Sequence, residues 1–129
     1  MKTAAAVAQN LVRFCGVVEV GLGLLFWSDH LPSLIVVHVA VGLVLVLALW
    51  TLAVIATFTR SSPFGQVVFA AVWGLLLPVF GLTQDQLLTG DAHWVVQVLH
   101  LLVGLIAIGL GEALGGGIRR AAAPEPQTP

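Results

Sequence analysis

Apolar residues run along this chain in four long blocks, about Leu11–Trp27, Leu34–Phe58, Phe64–Leu82 and His93–Leu114. Short polar breaks separate them: Ser28-Asp29-His30-Leu31-Pro32-Ser33, then Thr59-Arg60-Ser61-Ser62-Pro63, then the stretch from Thr83 to Ala92. Each block, as a helix rising about 1.5 Å per residue, is long enough for a hydrocarbon core of about 30 Å. Strands are excluded as the alternative, because an open sheet leaves backbone groups unsatisfied in lipid. Short connections make sequential helices antiparallel neighbours. The pattern therefore predicts an all-α fold, an integral membrane bundle of four helices running up-down-up-down.

Composition sharpens the picture. Hydrophobic residues make up 59% of the 129 and charged residues 9%, too apolar a balance for a soluble domain of this size. The formal net charge of -1 argues against nucleic acid as a partner. A single cysteine, Cys15, excludes an internal disulfide and a Cys-based metal cluster, and its expected role is packing. Gln9, Asn10 and Arg13 interrupt the first apolar run, so that helix is expected to stay attached as its own insertion signal. The remainder, from Gly115 to Pro129, is rich in Gly, Ala and Pro and reads as a disordered cytoplasmic tail after a single domain of residues 1–114.

Basic residues orient the bundle. Lys2, Arg13, Arg60, Arg119 and Arg120 all fall on one side, while the first and third connections carry Asp29, Asp85 and Asp91 and no Lys or Arg. The positive-inside rule puts both termini and the middle connection in the cytoplasm, as in a bacterial inner membrane. Trp27 and Trp94 then serve as belt residues at the outer interface. Arg13 and Glu112 lie near the inner ends and read as snorkelling side chains. Trp50, Trp73 and Pro78 read as packing residues, with Pro78 bending the third helix.

Two histidines interrupt the apolar blocks. His38 lies in the second and His100 in the fourth, and each is followed four residues on by a glycine, Gly42 and Gly104. An ionisable residue inside a membrane span is costly and marks a functional site by default. The halves also echo one another: Asp29, His38 and Gly42 match Asp91, His100 and Gly104, a two-fold internal repeat about an axis along the membrane normal. Both histidines then lie roughly 8–10 Å below the outer surface. Diagonal helices of a square bundle would stand roughly 12–14 Å apart, a span too wide for two imidazoles to touch and suited to an iron macrocycle between them. Gly42 and Gly104 share each histidine's helix face and would leave room for a flat ring, or simply allow close helix packing.

These features resemble the b-type membrane cytochromes, whose four-helix cores hold haem between histidines on facing helices. The resemblance rests on His38…Gly42 and His100…Gly104 and covers the four spans. It implies one haem b in the outer half of the bilayer with His38 and His100 as axial ligands. It further implies electron transfer rather than catalysis, with quinone or an extracytoplasmic donor or acceptor as partner. No inner-leaflet histidine pair supports a second transmembrane haem, and no Cys-x-x-Cys-His supports covalent attachment.

Other polar residues extend the candidate site. Glu19, deep in the first span, would orient a ligand imidazole, exchange a proton with a quinone, or sit as a neutral acid bonded to the backbone. Gln97, one turn before His100, would bond a haem propionate or an imidazole. His30 and His93, nearer the surface, form either a second haem or metal site or interfacial hydrogen bonds. The competing function is a haem-free transporter or an accessory subunit of a larger complex, with the histidines as proton relay or packing residues. A homo-oligomer is compatible with either.

Overall fold

The computed structural model describes residues 1–28 and 30–123, and within them the chain is helical with no strand. Helix α1 spans Lys2–Trp27, α2 Ile35–Thr59, α3 Phe64–Thr83 and α4 His93–Ala121. Short 3₁₀ turns at Pro32–Leu34, Gln84–Gln86 and Gly90–Ala92 fill the outer connections. All four helices are long and apolar enough to cross a membrane. Their outward faces carry exposed Phe, Leu, Val and Ile side chains, such as Phe14, Val36, Leu75 and Leu105. In lipid that is the favourable arrangement, since the solvent there is itself apolar.

The ends follow local chemistry. Ser28 Oγ donates to the carbonyls of Leu24 and Leu25 and closes α1. Arg60 adopts a left-handed φ of 49° after α2, and Ser61 N–H reaches back to Ala56 O at 3.2 Å. This is the 6→1 closure of a Schellman turn. Pro63 sits at the N-cap of α3, where its missing N–H costs nothing.

Side-chain contacts fix the topology. Arg13 meets Glu112, Trp50 donates to Ala71 O, and Trp73 donates to Val103 O, so each pair of helices linked in this way is antiparallel. Lys2 Nζ donates to Ala122 O, which puts both ends of the described chain at one end of the bundle. The up-down-up-down arrangement is thus the observed one.

The cross-section departs from the square expected from sequence. Helix α2 packs against all three others, α4 included, while α1 and α3 are the separated pair. The reason lies in α2 itself, which is apolar around its whole circumference and so is stabilised at the centre of the bundle. The section is a lozenge with α2 and α4 on its short diagonal.

The core is concentrated in the inner half. Val12 of α1, Leu49, Leu52 and Ala56 of α2, Ala70 of α3, and Ala107 and Leu114 of α4 are sealed from solvent there. The first ten residues of α2, Ile35–Val44, are not part of it. The outer half is held open instead.

Helices α1 and α4 both run further inward than their apolar blocks. Residues Lys2–Asn10 continue α1 and bury Ala5, Ala8 and Gln9. Residues Gly115–Ala121, expected to be disordered, are the last two turns of α4, with Gly115, Gly116, Gly117 and Ile118 buried. Close packing explains this. A Cβ at Gly117 would fall 2.7 Å from Ser61 O, and one at Gly115 would collide with the Gln9 amide. The glycines are the space into which α1 and the α2–α3 connection fit. The rest of the expected tail, residues 124–129, lies outside the described residues.

Candidate functional site

The outer half of the bundle encloses a cavity of about 400 Å³ lined by all four helices. That size falls within the range of small-molecule and cofactor pockets. Its walls are mostly apolar: Leu24 and Phe26 from α1, Val39 and Leu43 from α2, Leu77 from α3, and Ile108 from α4. Polar groups converge at two levels. Glu19, His38 and His100 lie deep, and Gln84, Asp85, His93 and Gln97 lie toward the outer end.

Both half-buried histidines, His38 and His100, line this cavity close together. Their ring centroids are 6.1 Å apart, with the planes inclined by 54°. Helices α2 and α4, which carry them, pack directly rather than across an open square. Imidazole nitrogens bond a metal at about 2 Å, which sets the centroids of two opposed ligand rings roughly 6 Å apart.

Aromatic rings flank the pair. Phe26 stands edge-on to His38 at 5.4 Å, and Phe80 lies against His100 at 5.8 Å. Glu19 Oε2 is 2.9 Å from His38 Nδ1, close enough for a hydrogen bond but off the line of the ring N–H. His100 Nδ1 and Glu19 Oε1 are buried with no hydrogen-bond partner at all. Buried polar atoms are ordinarily satisfied, so these three leave unmet hydrogen-bonding capacity around one cavity.

Gly42 and Gly104 both line the cavity. A Cβ at Gly104 would meet open space, whereas one at Gly42 would contact the Glu19 carboxylate at 3.4 Å. Gln97 also lines the cavity, one turn above His100. Of the two outer histidines, only His93 does so, and its Nδ1 lies 3.3 Å from Leu87 O. His30 turns away: its Nδ1 sits 2.6 Å from Ser28 O at the end of α1, and its backbone N–H bonds Leu25 O. The expected pairing of His30 with His93 is not formed in this pocket. Among the described residues no group of three or more His, Cys, Asp or Glu is arranged to hold a bare metal ion.

Two features escaped sequence reasoning. The first is Gly81 on α3, where a Cβ would fall 2.9 Å from His100 Cε1, so this glycine makes room for the ring. A signal for it exists. Residues 62 apart are equivalent between His38 and His100 and between Gly42 and Gly104, and the same step carries Glu19 onto Gly81. The second is a polar network at the inner end. Arg13, half exposed, grips both oxygens of Glu112, at 2.6 and 2.7 Å. Glu112 also accepts from Gln9 Nε2 at 2.9 Å, and Arg119 donates to Gln9 Oε1. The network ties α1 to α4 below the cavity and does not line it. Cys15 is buried and free, in keeping with packing.

Comparison with protein-family models, with curated proteins and with solved structures finds no match for this chain, so the site stands on its own geometry.

Proposed function

We propose that this protein is a membrane cytochrome that holds one haem b between His38 and His100 in the outer half of the bilayer and transfers electrons. One observation carries the reading: two imidazoles from different helices lie with their ring centroids 6.1 Å apart in the wall of a cofactor-sized cavity. That spacing suits two ligands to one metal. When bound, haem supplies a one-electron centre in surroundings of low dielectric.

The chain's own residues do the rest. His38 and His100 offer neutral nitrogen donors on either side. A haem held by both histidines would have no open site for oxygen chemistry, and electron transfer is the activity that would fit. Leu24, Val39, Leu77 and Ile108 give the cavity around the histidines an apolar wall. Gln84, His93 and Gln97, toward the outer end, are where the polar edge of a ligand would meet donors and solvent. Clustering of Lys and Arg at the opposite end supports a cytoplasmic location for both termini and an outward-facing cavity, as in a bacterial plasma membrane. A quinone in the bilayer or an extracytoplasmic redox protein is the partner such a position can reach.

The competing reading, a haem-free transporter or accessory subunit, draws on the Glu19–His38 contact as part of a proton relay. An absorbance spectrum separates the two. Protein purified from haem-replete cells is expected to be red, with the sharp reduced α-band of six-coordinate low-spin iron, and the double variant His38→Ala/His100→Ala is expected to be colourless. A colourless wild type, or an unchanged spectrum in the double variant, refutes the cytochrome reading.

A further inference from the structure

We infer that Glu19 is a positioning residue that makes the two histidines unequal, with His38 the fixed ligand and His100 the weaker one. The inference rests on the cytochrome reading for its consequence but on the apoprotein's own geometry for its cause.

The halves of the site are related by a step of 62 residues, which carries His38 onto His100 and Gly42 onto Gly104. Each histidine meets the preceding helix at the corresponding position. On α1 that position is Glu19, whose Oε2 lies 2.9 Å from His38 Nδ1. On α3 it is Gly81, which offers His100 only backbone, close enough that a Cβ would sit 2.9 Å from the ring. Where each histidine meets the helix before it, the symmetry of the fold is thus broken by a carboxylate against a hydrogen.

The chemical effect follows from the inventory of an imidazole. A small rotation of the His38 ring aligns its Nδ1–H on the carboxylate. That fixes the proton on Nδ1, leaves Nε2 as the free donor, and raises the basicity of that nitrogen. His100 has no such constraint. Its Nδ1 is buried without a partner, its ring is held by Phe80 and by the Gly81 backbone, and open space adjoins it at Gly104 one turn along. The ring's place is set but neither tautomer is selected, so fixing one on ligation carries a cost that His38 does not meet.

The test has one arm without haem and one with it, both on the full chain in detergent, with circular dichroism to confirm that each variant is folded. Nitrogen-15 NMR of the haem-free protein is expected to show His38 as a single Nδ1–H tautomer and His100 as a mixture. The isosteric Glu19→Gln should turn His38 into a mixture and leave His100 unmoved. With haem added, His100→Ala should retain five-coordinate haem, whereas His38→Ala should bind at least about tenfold more weakly than His100→Ala. Glu19→Gln should lose about tenfold in affinity, as loss of such an outer partner commonly does, and its midpoint potential should rise because the donor nitrogen is less basic. A mixed tautomer at His38 in the wild type overturns the inference whatever haem does, as do equal losses in the two alanine variants. A locked His38 in a protein that takes up no haem supports the role of Glu19 in positioning and refutes the cytochrome reading alone.

Discussion

Gly81 shows how a residue with no chemistry of its own decides a site. A methyl group there would press on His100 Cε1 at 2.9 Å. The ring cannot yield without leaving its position opposite His38, 6.1 Å away. Gly81→Ala is therefore expected to displace the His100 imidazole and cost about 1–3 kcal/mol of stability if the ring is forced off its rotamer. Gly104→Ala, directed into open space, should cost neither. Thermal unfolding and haem titration of the two variants side by side check this, and equal behaviour would mean that the Gly81 contact does not position the ring. A larger side chain reverses the logic at position 104: Gly104→Leu should fill cavity volume, keep the apoprotein stable and abolish haem uptake. The histidines, Gly42, Gly104, Glu19 and Gln97 were legible in the sequence because an ionisable or amide group in an apolar run is conspicuous. Gly81 was not, since it is one glycine among 14 and becomes significant only once Glu19 is seen beside His38.

Helix existence follows from apolar blocks of membrane-crossing length, but helix ends do not. The run Gly115-Gly116-Gly117 reads as a breaker by propensity. In the structure it continues α4, because Gln9 of α1 and the Ser61 carbonyl need the space that side chains would fill. Tertiary packing overrides propensity here. The α1–α4 seam is close-packed at Gly111 too, where a Cβ would fall 2.7 Å from Val12 Cγ1. Gly111→Leu and Gly115→Leu are therefore expected to lower stability by about 1–3 kcal/mol each through overpacking. Gly109→Leu, on the exposed face of the same helix, should be neutral. Unfolding in mixed micelles measures the difference, and a drop at Gly109 equal to the others would mean that helix propensity rather than the seam is being read. The Arg13–Glu112 pair adds a second test of the seam. Arg13→Glu should destabilise by setting two carboxylates together, and Arg13→Glu/Glu112→Arg should recover much of the loss.

At the scale of the molecule, the bundle is divided across its length. The inner half is dry core around Leu49, Leu52 and Leu114, and the outer half holds the cavity with its histidines. The number of helices and their alternation were readable from the chain, because lipid allows few other solutions. Which diagonal would be short was not, since that depends on how four apolar surfaces share one core. Charge then supplies an orientation that packing alone lacks. Lys2, Arg60, Arg119 and Arg120 gather at the core end, and Asp85 and Asp91 lie at the cavity end. Insertion with the basic end in the cytoplasm sets the cavity facing outward. Single cysteines introduced at Ser61 and at Thr89 in a Cys15→Ser background test this in intact cells. An impermeant thiol reagent is expected to label position 89 and to reach position 61 only after the membrane is opened. The opposite pattern would place the cavity toward the cytoplasm and make its redox partner a cytoplasmic one, whatever the histidines bind.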